Sequence, residues 1–188
     1  TLTPELVTGG DTRDTELLLV DLGAGRNRLG GSALAQVYGQ AGDDAPDVDD
    51  PKKLRAFFGA VRELSRRDLL LAYHDRSDGG LLASVAEMMF ASHAGVTLYL
   101  DALTYAEREA DVDDYDVSGT AKKLGENDAV LAALFNEELG AVVQIRRADR
   151  DVVMAALRAA GLGAESHIIG HLNATDELRL VRATRVLL

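Results

Sequence analysis

Cysteine is absent from the sequence. That excludes disulfides, thiolate metal sites and a cysteine nucleophile, and it fits a reducing compartment. Long apolar runs are also missing: nothing approaches the ~18 residues needed to span a bilayer, so no membrane partner is expected. The opening residues Thr1-Leu2-Thr3-Pro4-Glu5 contain no basic stretch followed by an apolar one, so no signal peptide is read there. There is no starting methionine either, as expected for a piece of a longer polypeptide. Positive charge is in deficit, with 20 basic against 31 acidic side chains and a net charge of −11. A nucleic-acid partner needs a basic face that displaces phosphate counterions, and no such run occurs. An anionic small ligand would have to be held by backbone N–H groups and a divalent cation.

What is present suits one mixed domain. The 188 residues are 47% hydrophobic, enough for a sizeable core. Residues 16–21 read as a buried strand, followed by a glycine-rich turn (Gly23, Gly25, Gly30, Gly31) and a short helix opened by Ser32. Asp50-Pro51 has the chemistry of a helix start, with Asp50 as N-cap. Leu54, Phe57, Phe58, Val61 and Leu64 then recur at helical spacing. Residues 68–73 read as a strand and 74–80 as a tight loop. Leu82, Val85, Ala86, Met89 and His93 mark a second long helix, with His93 partly buried at its end. Residues 95–100 form a third strand.

Residues 101–128 read as an acidic, mobile excursion with some local helix. Beyond it come a helix over 129–135, a strand over 141–145 and a helix over 148–160 that Gly161 stops. Strands over 166–172 and 177–181 are expected to form a hairpin turned by Asn173-Ala174-Thr175-Asp176. The expected fold is a single α/β domain over 1–188, of α+β type, with a mixed β-sheet and helices layered mainly on one face.

Four segments carry candidate chemistry. The glycine turn fails the dinucleotide fingerprint, because the residue that should be glycine is Arg28. It also fails the Walker pattern, because Gly30-Gly31-Ser32 has no lysine. A chain reversal with Gly31 or Ser32 near a helix cap is the favoured reading. His74-Asp75-Arg76-Ser77-Asp78-Gly79-Gly80 lies between a strand and a helix, where α/β proteins place ligand loops. Asp78 is placed to cap the helix. Asp75 and Ser77, two apart, point the same way in extended backbone. A carboxylate and a hydroxyl on one side suit Mg²⁺ and a phosphate oxygen. A polar capping loop is the other reading, and both stay open.

In Phe135-Asn136-Glu137-Glu138-Leu139-Gly140, paired carboxylates could do acid–base work. The favoured reading makes them surface charges at a helix end. His167 and His171 sit in a strand pattern, where four residues span ~13 Å, too far for one metal ion.

Gly30-Gly31-Ser32-Ala33-Leu34-Ala35-Gln36, the heptad at 74–80 with Leu81, Ala86-Glu87-Met88, and Leu134-Phe135-Asn136-Glu137-Glu138-Leu139-Gly140 occur in that order. Together they resemble the second C-terminal-type domain of the AIR synthetase-related superfamily, as found in the large form of phosphoribosylformylglycinamidine synthase. The resemblance runs from about residue 1 to about residue 182. It implies an AIR synthetase C-terminal-domain-like fold within a cytoplasmic, ATP-dependent, glutamine-using ligase of purine biosynthesis. It implies a shared auxiliary site for Mg²⁺ and ADP, with Asp75 as a metal ligand and Ser77 as a nucleotide contact. The catalytic residues, the upstream synthetase domains and the C-terminal glutaminase domain are expected outside this chain, which is then inactive alone. The stretch around 103–128 is longer than the link expected there. Two alternatives remain: a scaffolding module between domains, or a domain of another ATP-using member resembling thiamine-monophosphate kinase or selenophosphate synthetase.

Overall fold

The computed structural model describes residues 1–42, 44–104 and 126–188. Among them the elements run β1 (Thr15–Asp21), α1 (Ala33–Val37), α2 (Pro51–Arg66), β2 (Ala72–Asp75), α3 (Gly80–Ser92), β3 (Gly95–Tyr99) and α4 (Asp101–Thr104). There follow α5 (Glu126–Phe135), β4 (Gly140–Arg146), a 3-10 turn (Arg147–Asp149), α6 (Arg150–Ala159), β5 (Ser166–Asn173), β6 (Leu178–Arg182) and β7 (Arg185–Val186). Most of the acidic excursion read at 101–128 lies outside the described residues. Its two ends are helical, in α4 and at the start of α5.

The strands form one mixed sheet in the order β2-β4-β1-β5-β3-β6-β7. Strand β1 lies between β4 and β5, antiparallel to both, and all of its residues are buried. Its side chains alternate, as a strand requires. Leu17 and Leu19 enter one core cluster with Leu81, Val85 and Met88 of α3 and Leu134 of α5. Leu18 and Val20 enter a second with Phe57 and Leu64 of α2 and Val153 and Leu157 of α6. The mixed α/β class and mixed sheet are as expected. The layering differs, because the long helices are divided between the two faces. The apolar run 17–20 at the middle of β1 presents leucine or valine to both sides, so both faces need helices.

Helix α2 follows its caps. The Asp50 carboxylate accepts from the Lys52 N–H at 2.8 Å, and Pro51 stands in the first turn. Phe57, Ala60 and Leu64 face the core, while Phe58 is 62% exposed and touches only the edge of the stripe through Phe57. His93 ends α3 in a left-handed conformation and is exposed rather than partly buried.

Two strand expectations need correction. The leucines at 69–71 lie ahead of the β2 ladder, although the Leu71 N–H already donates to the Gln144 carbonyl of β4 at 2.8 Å. Leu69 N–H still bonds back to the Leu64 carbonyl, closing α2, and the ladder begins at Ala72. His74 and Asp75, read as loop, pair with Val142 and Ala141. At Leu69 and Leu70 apolarity reported burial, not pairing. Nor do β5 and β6 form a hairpin. The Asn173 turn exists, with its Oδ1 accepting from Thr175 N–H at 3.0 Å. The chain then steps over β3, which lies antiparallel to β5 and parallel to β6. Local turn chemistry is the same whether or not a third strand fits between.

Leu98 of β3 is fully buried in the first cluster. Leu98→Ala should lower unfolding stability by about 2–5 kcal/mol, whereas Phe58→Ala should change it by less than about 0.5 kcal/mol. Urea unfolding monitored by circular dichroism checks both, and equal losses would contradict the core assignment.

Candidate functional site

One end of the sheet gathers the segments singled out in the sequence. There β1 and β2 finish and β4 begins, with Asp75 opposite Ala141 and Asp21 opposite Gly140. The loops 22–32, 76–79 and 136–139 therefore meet. They are held by charges out of water.

Glu138 is 1% exposed. Its Oε1 accepts from Arg28 Nε at 2.6 Å and its Oε2 from Arg28 Nη2 at 2.8 Å, a two-pronged contact. Arg28 Nη2 also reaches Asp49 Oδ2 at 2.9 Å. The hydrogen bond to Glu138 is the main cause raising the Arg28 pKa above its usual value; burial opposes it, and Asp49 adds to the rise. A side chain at residue 23 would collide with Glu138, since a Cβ there would lie 2.6 Å from it. Gly23 is thus needed for close approach.

Arg76, at the centre of the heptad, turns inward and is 6% exposed. Its Nε donates to the Glu138 carbonyl at 2.6 Å, and its Nη2 donates to Asp21 Oδ1. Asp21 in turn accepts from the N–H groups of Gly23 and Gly25, at 3.1 and 2.8 Å. Glu137 joins the other two loops: its Oε1 accepts from Ala33 N–H and from Gly79 N–H, both at 2.8 Å. Asn136 is fully buried and donates to Asn27 Oδ1 at 3.0 Å. Gly80, at φ +72°, sits against this segment, and a Cβ there would lie 2.6 Å from the Asn136 carbonyl oxygen.

The reading of Glu137 and Glu138 as surface charges is therefore wrong. Glu138 is sealed and Glu137 half-buried, and together they bind three loops. Asp78 does not cap α3. The cap residue is Gly79, and its N–H is satisfied by Glu137 from across the gap. Ser32 does cap α1, accepting from Ala35 N–H at 3.2 Å, and is itself buried. Sequence reasoning missed Arg28, Arg76 and Asp21. The one available signal was Arg28, a large charged residue in a glycine-rich turn where the nucleotide template asks for glycine.

Asp75 and Ser77 flank Arg76 and are not sealed in the core. The Asp75 side chain is 71% exposed, with its Oδ1 3.7 Å from His74 Nδ1. Ser77 is half-buried. The His74 ring is held between the Asp75 carbonyl oxygen at 2.6 Å and Glu87 Oε2 of α3 at 2.7 Å. On the inner side lies a cavity of about 140 Å³, lined in part by Asp21, Asn27, Arg76, Leu103, Ala133 and His167. His171 does not share it. The β1–β5 register shifts by one residue between Leu17 and Leu18, and this bulge turns His167 and His171 to opposite faces of β5.

A mixed-sheet α/β domain with an ion-paired loop platform at one end is thus defined. The family described as AIR synthase related protein, C-terminal domain, matches residues 15–182, and the chain belongs to it. Among solved structures, Thermotoga maritima PurL complexed with ADP is similar with a TM-score of 0.65 at 12% identity, over 100% of this chain and 25% of that one. Thermotoga maritima PurL complexed with ATP gives 0.63 at 12% identity, over 97% and 26%. Escherichia coli HypE, a hydrogenase maturation protein, gives 0.59 at 20% identity, over 100% and 51%. The chain spans about a quarter of the PurL chains and half of HypE. At these identities the likeness is one of fold.

Removing one partner of a buried ion pair strands the other. Glu138→Leu should cost about 3–5 kcal/mol, and Arg28→Leu combined with Glu138→Leu should recover much of that loss. Chemical unfolding midpoints decide, and a double variant as weak as the single one would contradict the pairing. His167 offers a pH test. Burial pushes its imidazole below the usual 6.5, and Asp21 and Glu165 oppose this only in part. The unfolded chain then takes up the proton first. Stability should fall as pH drops below about 6.5 and level off beneath the folded value. His167→Gln should flatten that slope in urea titrations across the range.

Proposed function

We propose that this chain is the nucleotide-site module of a larger cytoplasmic amidoligase. That enzyme uses ATP and glutamine to convert formylglycinamide ribonucleotide into formylglycinamidine ribonucleotide in purine biosynthesis. The observation that carries the reading is the division of labour in one loop. Arg76 is locked inward by Asp21 and the Glu138 carbonyl, while Asp75 stays exposed at the end of its strand. Family membership and the fold likeness to Thermotoga maritima PurL, solved with ATP, with ADP and with FGAR, support it.

A divalent cation fits this loop only as a shared ligand. Among the described residues no cluster of three or more His, Asp or Glu side chains could hold a metal. Asp75 offers one hard carboxylate, and on this reading a neighbouring domain supplies the remaining ligands. Mg²⁺ bound there would neutralise phosphate charge. On this reading Asp75 supplies one metal ligand and Ser77 a hydroxyl to the nucleotide. The buried pairs beneath keep both from drifting. The chain holds no catalytic residue and is inactive alone. Its partners are upstream synthetase domains and a glutaminase domain of the same polypeptide, with no nucleic acid or membrane.

Two other readings have support. Phe90 is 75% and Leu131 44% exposed, which suits a scaffolding face docked on sister domains. The HypE likeness suits another ATP-using member of the superfamily.

The test uses the full polypeptide that contains this module. Nucleotide and magnesium released on denaturation are measured for the parent and for Asp75→Asn. Retained Mg²⁺ and ADP should drop at least about tenfold, by analogy with metal-site losses on changing one supporting group. Unchanged content supports scaffolding. Failure of the parent to amidate formylglycinamide ribonucleotide with glutamine points to the other superfamily members. ATP-dependent amidation by the 188-residue chain alone would overturn the proposal.

A further inference from the structure

At the other end of β1 the chain gathers the positive charge that its composition withholds. Glu16 is 2% exposed and lies on the α2–α6 side of the sheet, as do Leu18 and Val20. Its Oε2 accepts from Arg150 Nε at 2.6 Å, and its Oε1 accepts from Arg150 Nη2 and from Arg147 Nε at 3.0 Å. Burial pushes the Glu16 carboxyl up, yet Arg150 and Arg147 outweigh it and hold the group below its usual value. Glu16 therefore stays ionised and clamps both guanidinium groups in place.

These residues line a half-open cavity of about 420 Å³, together with Arg13, Tyr99 and His171. Three guanidinium groups face one carboxylate there, in a chain whose net charge is −11. Glu16 already accepts three hydrogen bonds from two of these groups. Both Nη atoms of Arg147, Nη1 of Arg150 and the whole Arg13 guanidinium meet no acceptor among the described residues. Other carboxylates nearby in sequence do not close the account. Asp149 accepts from Arg146 at 3.3 Å, and Asp14 accepts from the Asp11 N–H at 3.2 Å. Asp151, in the first turn of α6, adds only a field at Arg150. His171 Nδ1 lies 2.6 Å from the Leu172 carbonyl oxygen, and its Nε2 lies 3.0 Å from the Tyr99 hydroxyl.

We propose that this pocket binds a phosphoryl dianion, gripped by Arg13, Arg147 and Arg150. The planar guanidinium fork matches phosphate oxygens two at a time, and a clamp such as Glu16 reduces the ordering cost of binding. The volume holds a phosphoryl group with a small organic substituent. The site is separate from the Asp75 loop. Glu16 and Val20 are four residues apart on β1, about 13 Å, and Val20 lies beside the platform. No metal is required, because the arginines supply the charge.

The test is calorimetric titration of the 188-residue chain at low ionic strength with EDTA, using inorganic phosphate and then glycerol 3-phosphate. Both should bind, with affinity falling as salt rises. Arg13 is exposed and its guanidinium meets no acceptor among the described residues, so Arg13→Gln should fold normally and weaken phosphate about tenfold. Asp75→Ala should leave the affinity unchanged, which keeps this test independent of the nucleotide reading. Tighter binding of glycerol 3-phosphate assigns the site to phosphate esters. Equal binding assigns it to the free anion. Absence of binding at millimolar phosphate, full affinity in Arg13→Gln, or loss of affinity in Asp75→Ala would each overturn the proposal.

Discussion

The contact between Glu138 and Arg28 is the constraint on which the meeting of loops at one end of the sheet depends. A carboxylate at 1% exposure cannot be left unpaired, because an uncompensated buried charge costs several kcal/mol. Arg28 answers with two nitrogens, and Asp49 takes part of what remains. The segment that carries Glu138 also presents its carbonyl to Arg76 and the Glu137 carboxylate to Ala33 and Gly79. Three loops from distant parts of the chain are thus required to meet in one arrangement. An apolar contact of equal size would stabilise the meeting but tolerate sliding; a forked ion pair does not.

That rigidity explains how a short polar loop can be both anchored and available. Backbone alternation sends Arg76 inward and leaves Asp75 at the surface. The inward arginine donates to the Glu138 carbonyl and the Asp21 carboxylate, while the outward carboxylate of Asp75 lies 3.7 Å from His74 Nδ1. The same device recurs at the far end of β1, where one buried carboxylate, Glu16, orients two arginines that stay half in solvent. In both places a sealed charge fixes the geometry beside a more exposed one. The chain spans about a quarter of the PurL chains it matches.

Much of the fold was legible. The all-apolar run in β1, the Asp50-Pro51 start of α2 and the glycine stop after α6 all follow local rules of period and capping, and the structure obeys them. The candidate loop was legible as a loop between strand and helix, although two of its residues belong to the ladder of β2. Illegible were the features made by pairing across the chain. Turn chemistry at Asn173 looked like a hairpin because nothing local announces that β3 lies between β5 and β6. Glu137 and Glu138 looked like surface charges because adjacent carboxylates near a helix end usually are.

The sequence alone determined which segments are apolar enough to be buried, where helices start and stop, and that one heptad puts a carboxylate and a hydroxyl on either side of an arginine. These depend on neighbours within a few residues, whose geometry the backbone period dictates. Only the tertiary structure decided which charges are taken out of water. Glu138, Arg76 and Glu16 are buried against partners 55 to 134 residues away, and the meaning of a charge changes with the dielectric around it.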